Sequence, residues 1–129
     1  MEEIKKWLQS FPLWGEAEPA VDAVSPESGS TGLFPQGTEL LEHRENVLGE
    51  SVRRLRQRYL LRRAAVRGMD AAAWLQKLAH WVAEQDRLGL APALGQRQQV
   101  RAEKGRLIRT DTAGTGIYEI QITMEYTEE

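Results

Sequence analysis

The chain contains no cysteine. That excludes a disulfide framework, a thiolate nucleophile and any zinc site built on cysteine. Histidine is almost as scarce, with only His43 and His80. A metal site would need further ligands at suitable spacing, and none stand out beside either residue. His80 falls near the surface of an expected helix and His43 in a charged strand or loop, so both read as structural or solvated side chains. No stretch approaches the roughly 18 consecutive apolar residues of a membrane span. The first ten residues are charged and amphipathic, without the apolar run of a signal peptide. The expectation is a protein made and used in a cytoplasm, or packed into something assembled there, with no membrane partner. Catalytic motifs are missing too. No nucleophile elbow supports a Ser-His-Asp triad. Gly114-Thr115-Gly116 has the look of a phosphate loop, but no lysine follows in the required pattern, and a strand follows where a helix should. It reads as a hairpin turn. The expectation is a protein that is not an enzyme and carries no metal or cofactor.

What remains is enough for one domain. The chain has 129 residues, 41% of them hydrophobic, with four tryptophans as core material. The clearest signal is the stretch from Thr115 to Tyr126. Tyr118, Ile120, Ile122, Met124 and Tyr126 fall on one side of an extended chain. Ile117, Glu119, Gln121, Thr123 and Glu125 fall on the other. Strand side chains alternate between faces, so this stretch reads as the long C-terminal strand of an antiparallel sheet, with the second face mostly wet.

Around it the chain divides as follows. Glu2 to Phe11 reads as a short helix with Ile4, Trp7, Leu8 and Phe11 on one face, ended by Pro12. So short a helix is marginal alone and needs other structure to cover Trp7 and Phe11. Leu13 to Gly37 is rich in proline, glycine and serine. It allows a brief strand over Ala20 to Val24 and a long loop at about residues 24–38. Thr38 to Asn46 is a strand with weak alternation, and Gly49 makes the turn after it. Ala71 to Leu88 is a helix with Ala71, Trp74, Leu75, Leu78 and Val82 as its apolar stripe and Trp81 at the border. Asp70 is its expected N-cap, and Met69 with Trp74 its hydrophobic staple. Gly89 closes it and Pro92 prevents its continuation. Pro92 to Gly105 reads as a polar connection. Arg106 to Thr110 reads as a strand that forms a hairpin with the C-terminal strand through Asp111 to Thr115.

Val52 to Arg67 holds seven arginines (Arg53, Arg54, Arg56, Arg58, Arg62, Arg63 and Arg67) and no acid. At helical spacing, Val52, Leu55, Tyr59 and Val66 share a face, and Ser51 is a cap. At strand spacing, Leu55, Gln57, Tyr59 and Leu61 lie opposite Arg54, Arg56, Arg58, Leu60 and Arg62. Periodicity does not decide between them. A basic segment can contact phosphates. However, the formal net charge is −2, and only Tyr59 offers aromatic interleaving for base stacking. The first fifty residues carry ten acids against three Lys or Arg. Charge pairing within an assembly is therefore favoured over nucleic-acid binding, which stays open as the alternative.

Three stretches in order carry a family resemblance. They are Gly32-Leu33-Phe34-Pro35-Gln36-Gly37 followed by His43-Arg44-Glu45-Asn46-Val47-Leu48-Gly49; the Trp74-to-Gly89 helix with Trp81 and Glu84-Gln85; and Ala113-Gly114-Thr115-Gly116-Ile117-Tyr118-Glu119-Ile120-Gln121-Ile122, ending Glu125-Tyr126. Together they resemble small phage and prophage tail proteins of Gram-positive bacteria, in the tail-terminator or minor capsid group of long-tailed phages. The resemblance implies an α+β fold: a mostly antiparallel sheet, a long helix packed on one face and a short N-terminal helix. It favours a strand over the arginine-rich segment. It also implies a six-fold ring in the virion tail that stops the tail tube and joins it to the head. The partners would be further copies of the chain, the tail-tube protein and a head-completion or connector protein. On that reading Arg53, Arg54, Arg56, Arg58 and Arg62 meet the acidic early segment across a subunit interface or face the tube. Leu33, Phe34 and Pro35 lie in a loop that docks onto the neighbouring ring. Seven arginines in one strand are more than this family leads one to expect, which leaves a DNA-facing role open.

Overall fold

A computed structural model describes residues 2–15, 18–24, 29–65, 68–110 and 114–128, without the side chains of 68–70. Its elements are α1 (Glu2–Gln9), β1 (Ala20–Val21), β2 (Thr31–Glu45), β3 (Ser51–Ala65), α2 (Gly68–Leu88), β4 (Gln96–Thr110) and β5 (Gly116–Glu128). The five strands form one sheet in the order β1-β2-β3-β5-β4. Only the two-residue β1 pairs in parallel; every other neighbour is antiparallel. The fold is α+β, with a mostly antiparallel sheet, one long helix and one short N-terminal helix, as the sequence leads one to expect.

The core lies between one sheet face and the helices. β5 contributes Ile120, Ile122, Met124 and Tyr126, and β3 contributes Leu55, Tyr59 and Leu61. The antiparallel register sets Leu55 beside Tyr126, Tyr59 beside Ile122 and Leu61 beside Ile120. These apolar cross-strand pairs hold the two strands in register. α2 lays Ala71, Trp74, Leu75, Leu78 and Val82 onto this face. Aromatic rings secure α1 against α2. Trp7 stacks on Trp81 with centroids 5.2 Å apart, and Phe11 meets Trp74 edge-on at 5.6 Å. Trp7 Nε1 donates to Gln85 Oε1 at 3.0 Å, so the buried indole keeps a polar partner. α1 therefore stands by tertiary packing of Ile4, Trp7 and Leu8, each worth about 1.5–3 kcal/mol of burial.

Several boundaries differ from the sequence reading. The arginine-rich segment is a strand over Ser51–Ala65. Leu55, Tyr59 and Leu61 reach the core only at period two. Val66 and Arg67 lie outside the described residues. α1 ends at Gln9, and Ser10 and Phe11 follow in a turn closed by bonds to the carbonyls of Trp7 and Leu8. The brief early strand covers Ala20–Val21 only. α2 begins at Gly68, which places Asp70 inside the helix and not at its cap. The side chains of Asp70 and Met69, and so the staple, lie outside the description.

The largest differences are at the two sheet edges. β2 starts at Thr31, so Leu33, Phe34 and Pro35 are strand residues and not a docking loop. Leu33 is 0% exposed and belongs to the core. Residues 25–28 of the expected loop lie outside the description. Pro35 and Gly37, read as breakers, are absorbed by a bulge between Pro35 and Thr38, where Gly37 takes a φ of +85°. A proline is tolerable there because β1 covers β2 only at Gly32 and Leu33, leaving the rest of that edge open. Likewise the connection expected over Pro92 to Gly105 is mostly strand. β4 runs from Gln96 through Thr110. Three register shifts and positive φ at Arg97 and Lys104 break its alternation. An edge strand can be that polar because one side of its backbone needs no partner strand. The turn at Gly49 is present, with Asn46 and Glu50 closing it. Of the turn expected over Asp111 to Thr115, residues 111–113 lie outside the description; β4 and β5 do form the hairpin.

Candidate functional site

α2 covers one sheet face. The opposite face carries the arginines, and the strand register decides what they meet. Alternation places Arg54, Arg56, Arg58 and Arg62 of β3 on this face beside Glu119, Gln121, Thr123 and Glu125 of β5. β4 brings Arg101 and Arg106 to the other flank of the same acids. Glu125 is gripped from both sides. Arg56 Nε and Nη2 donate to Oε1 at 2.9 and 2.8 Å, Arg101 Nη2 lies 3.6 Å away, and Arg54 Nη2 is 3.9 Å from Oε2. Hydrogen bonding from Arg56, reinforced by its charge and those of Arg101 and Arg54, holds the Glu125 carboxyl below its ordinary pKa against the opposing effect of burial. Glu119 accepts from Arg62 Nε at 2.9 Å and Arg106 Nη2 at 3.3 Å. Glu39 of β2 lies 3.5 Å from both Arg56 Nη1 and Arg58 Nη2.

The face expected to be mostly wet is therefore partly closed. Glu119 is 5% exposed and Thr123 1%. Arg62 and Arg106 flank Glu119, and Arg58 and Arg101 stand beside Thr123 in the register; stems of such side chains exclude water while their heads stay paired. Arg62 also sits over the Phe34 ring at 4.4 Å. A cleft of about 360 Å³ opens here, lined in part by Gln36, Arg56, Arg58, Arg106, Glu119 and Gln121. Arg58 Nε is buried in this region without a hydrogen-bond partner. The other guanidiniums in the cleft already hold carboxylates, so an incoming anion would have to displace an acid of the chain itself.

The arginines singled out from the sequence divide between the two faces. Arg54, Arg56, Arg58 and Arg62 come together. Arg53 lies on the helix-side face and pairs with Glu128 at the strand end. Arg63 stacks on Trp74 at 4.3 Å, and its burial lowers its pKa. Among the described residues, the acidic partner that the early segment supplies to these arginines is Glu39, and it belongs to the same chain. Sequence reasoning missed Glu119 and Glu125, because a strand with one wet face gives its outward acids no partner; Glu128, which meets Arg53 on the other face, was missed with them. For Glu119 and Glu125 parity was the available signal. Once β3 and β5 pair, acids on the non-core side of one must meet arginines on the non-core side of the other.

Sequence reasoning placed the turn between β2 and β3 at Gly49 but missed its exposed apolar tip. Asn46 Oδ1 accepts from the amides of Leu48 and Glu50, which shapes the turn. The turn holds Val47 fully in solvent and Leu48 81% exposed, with Leu40 55% exposed below them. Two apolar residues flanked by Asn46 and Gly49 were the signal in the sequence. The histidines take no part in a site. His43 Nε2 lies 2.9 Å from Ser51 Oγ across the hairpin, and His80 is exposed on α2. Among the described residues, no group of three or more His, Asp or Glu could hold a metal ion, and no helix is long and apolar enough to cross a membrane.

Neither known family models nor curated proteins give a match to this chain.

Proposed function

We propose that the chain is a structural subunit of a long-tailed phage tail, assembling into a ring of the tail-terminator kind that caps the tail tube and joins it to the head. The observation that carries this reading is the projecting hairpin. Val47, Leu48 and Leu40 lie uncovered at one end of the sheet, while the charges on the sheet face are matched within the chain. Val47 and Leu48 are adjacent in the turn, and exposed apolar residues that adjoin mark surfaces that meet another protein. The resemblance of the Gly32–Gly37, Trp74–Gly89 and Ala113–Ile122 stretches supplies the kind of assembly. Nucleic-acid binding by the arginine strand has less support, because Glu39, Glu119 and Glu125 occupy the guanidiniums that phosphates would need.

Two measurements test it. Light scattering across a range of concentrations should give a closed ring, and the protein added to tail tubes should stop their growth, as seen by electron microscopy. Val47→Ser with Leu48→Ser should leave the monomer fold intact and weaken both. A protein that stays monomeric at every concentration and leaves tube ends bare would refute the assignment.

A further inference from the structure

The two open edges of the sheet differ in charge. Along the hairpin from Thr38 to Glu50, the outer strand and turn carry Glu39, Glu42, Glu45 and Glu50 against a single Arg44. β4 carries Arg97, Arg101, Lys104, Arg106 and Arg109 against a single Glu103. Among the described residues, Glu45, Arg97, Lys104 and Arg109 make no ion pair within the chain; the strongly paired charges lie between the edges, on the sheet face. Each open edge thus keeps some charge that the monomer does not pair, beside Glu39, Glu42, Arg101 and Arg106, which hold partners within the chain but remain open on their outer side to a second partner.

Backbone geometry agrees with the charge. β2 runs antiparallel to β3, β3 to β5, and β5 to β4, so β2 and β4 point in opposite directions. Placed beside the β4 of one copy, the β2 of the next would continue the antiparallel order of the sheet. The registers also set a level. Glu42 pairs with Arg54, Arg54 with Thr127, and Thr127 with Gln96. Glu39 leads in the same way through Arg56 and Glu125 to Gln99. In an unstaggered repeat, the acidic stretch of one copy therefore falls beside Arg97–Arg101 of its neighbour.

We infer that the acidic β2 edge of one copy pairs with the basic β4 edge of the next, so that the sheets join head to tail. Joining like edges would bring like charges together, which disfavours a two-fold dimer through either edge. Unlike edges attract, and a contact between two different surfaces closes into a ring when its rotation permits. The bulges in both strands limit the joint to short runs and make charge, more than length of ladder, the selector. This joint rests on the self-assembly proposed above and names the surfaces that make it.

The natural absence of cysteine makes the test direct. Leu41→Cys and Gln99→Cys place one thiol on each edge at exposed positions. With a short bis-maleimide, a mixture of the two single variants should give covalent dimers, and the double variant a ladder ending at the closed ring. Each single variant alone should give none. Glu42→Lys and Arg97→Glu should each remove the high-mass species, and the two together should restore it. Cross-linking within either single variant, or a closed ring by light scattering without linkage between the edges, overturns the joint while leaving the ring assignment standing. A protein that is monomeric and unlinked at every concentration overturns the joint as well, and the ring assignment is then decided separately on tail tubes.

Discussion

Replacing Glu119 by glutamine tests whether the arginine face is neutralised from within. The carboxylate is 5% exposed and takes one guanidinium on each oxygen, Arg62 at 2.9 Å and Arg106 at 3.3 Å. Glutamine keeps the shape and loses the charge, and its amide nitrogen turns a donor toward a donor. Stranding a fully buried partner costs about 3–5 kcal/mol. Here the partners are not fully buried: the Arg62 and Arg106 side chains are 28% and 69% exposed. Water can take over their donors, so the expected loss is smaller, about 1–2 kcal/mol. For a domain of this length that lowers Tm by about 4–8 °C. Urea denaturation and a thermal melt both read it. The same change frees two guanidiniums, so Glu119→Gln should bind duplex DNA more tightly than the unmodified chain, with a steeper dependence on salt. A stability change under about 0.5 kcal/mol, or tight DNA binding by the unmodified chain at physiological salt, would refute the reasoning.

Three further outcomes are expected. Leu61→Ala empties a site that is 0% exposed beside Ile120, and denaturant unfolding should show a loss of about 2–5 kcal/mol. Gly32→Ala should cost more than about 3 kcal/mol, seen as a loss of soluble protein or a sharply lowered Tm. The added Cβ would lie 2.0 Å from the Ala23 carbonyl oxygen, and that neighbour is backbone. Glu125 has a folded pKa below its unfolded value of about 4.3, so its contribution to stability is present above that value and is lost as pH falls through the folded pKa. Acid denaturation should therefore be shallower in Glu125→Gln; an unchanged profile would mean that the arginine contacts add nothing.

Local pattern determined the elements that carry one continuous apolar stripe. The β5 alternation from Tyr118 to Tyr126 and the α2 stripe from Ala71 to Val82 are both unambiguous in period, because each residue type has one side to go to. The α+β class follows from those two segments. Period did not determine the edges. β4 and the outer part of β2 bury little, so their residues carry no alternating signal, and Pro35 and Gly105 read as interruptions until bulges and a free side make room for them. Arg54, Arg56, Arg58 and Arg62 were visible as a cluster, but not their partners. Glu119 and Glu125 lie more than fifty residues away in sequence, and only the β3–β5 register brings the two rows of charge within reach. The sequence by itself determined the apolar stripes of β5 and α2 that leave water; the tertiary structure alone decided that Glu119 and Thr123 would leave it too, which charges would cancel and which would be left on the open edges, because Coulombic pairing acts over a few ångströms of space and not along the chain.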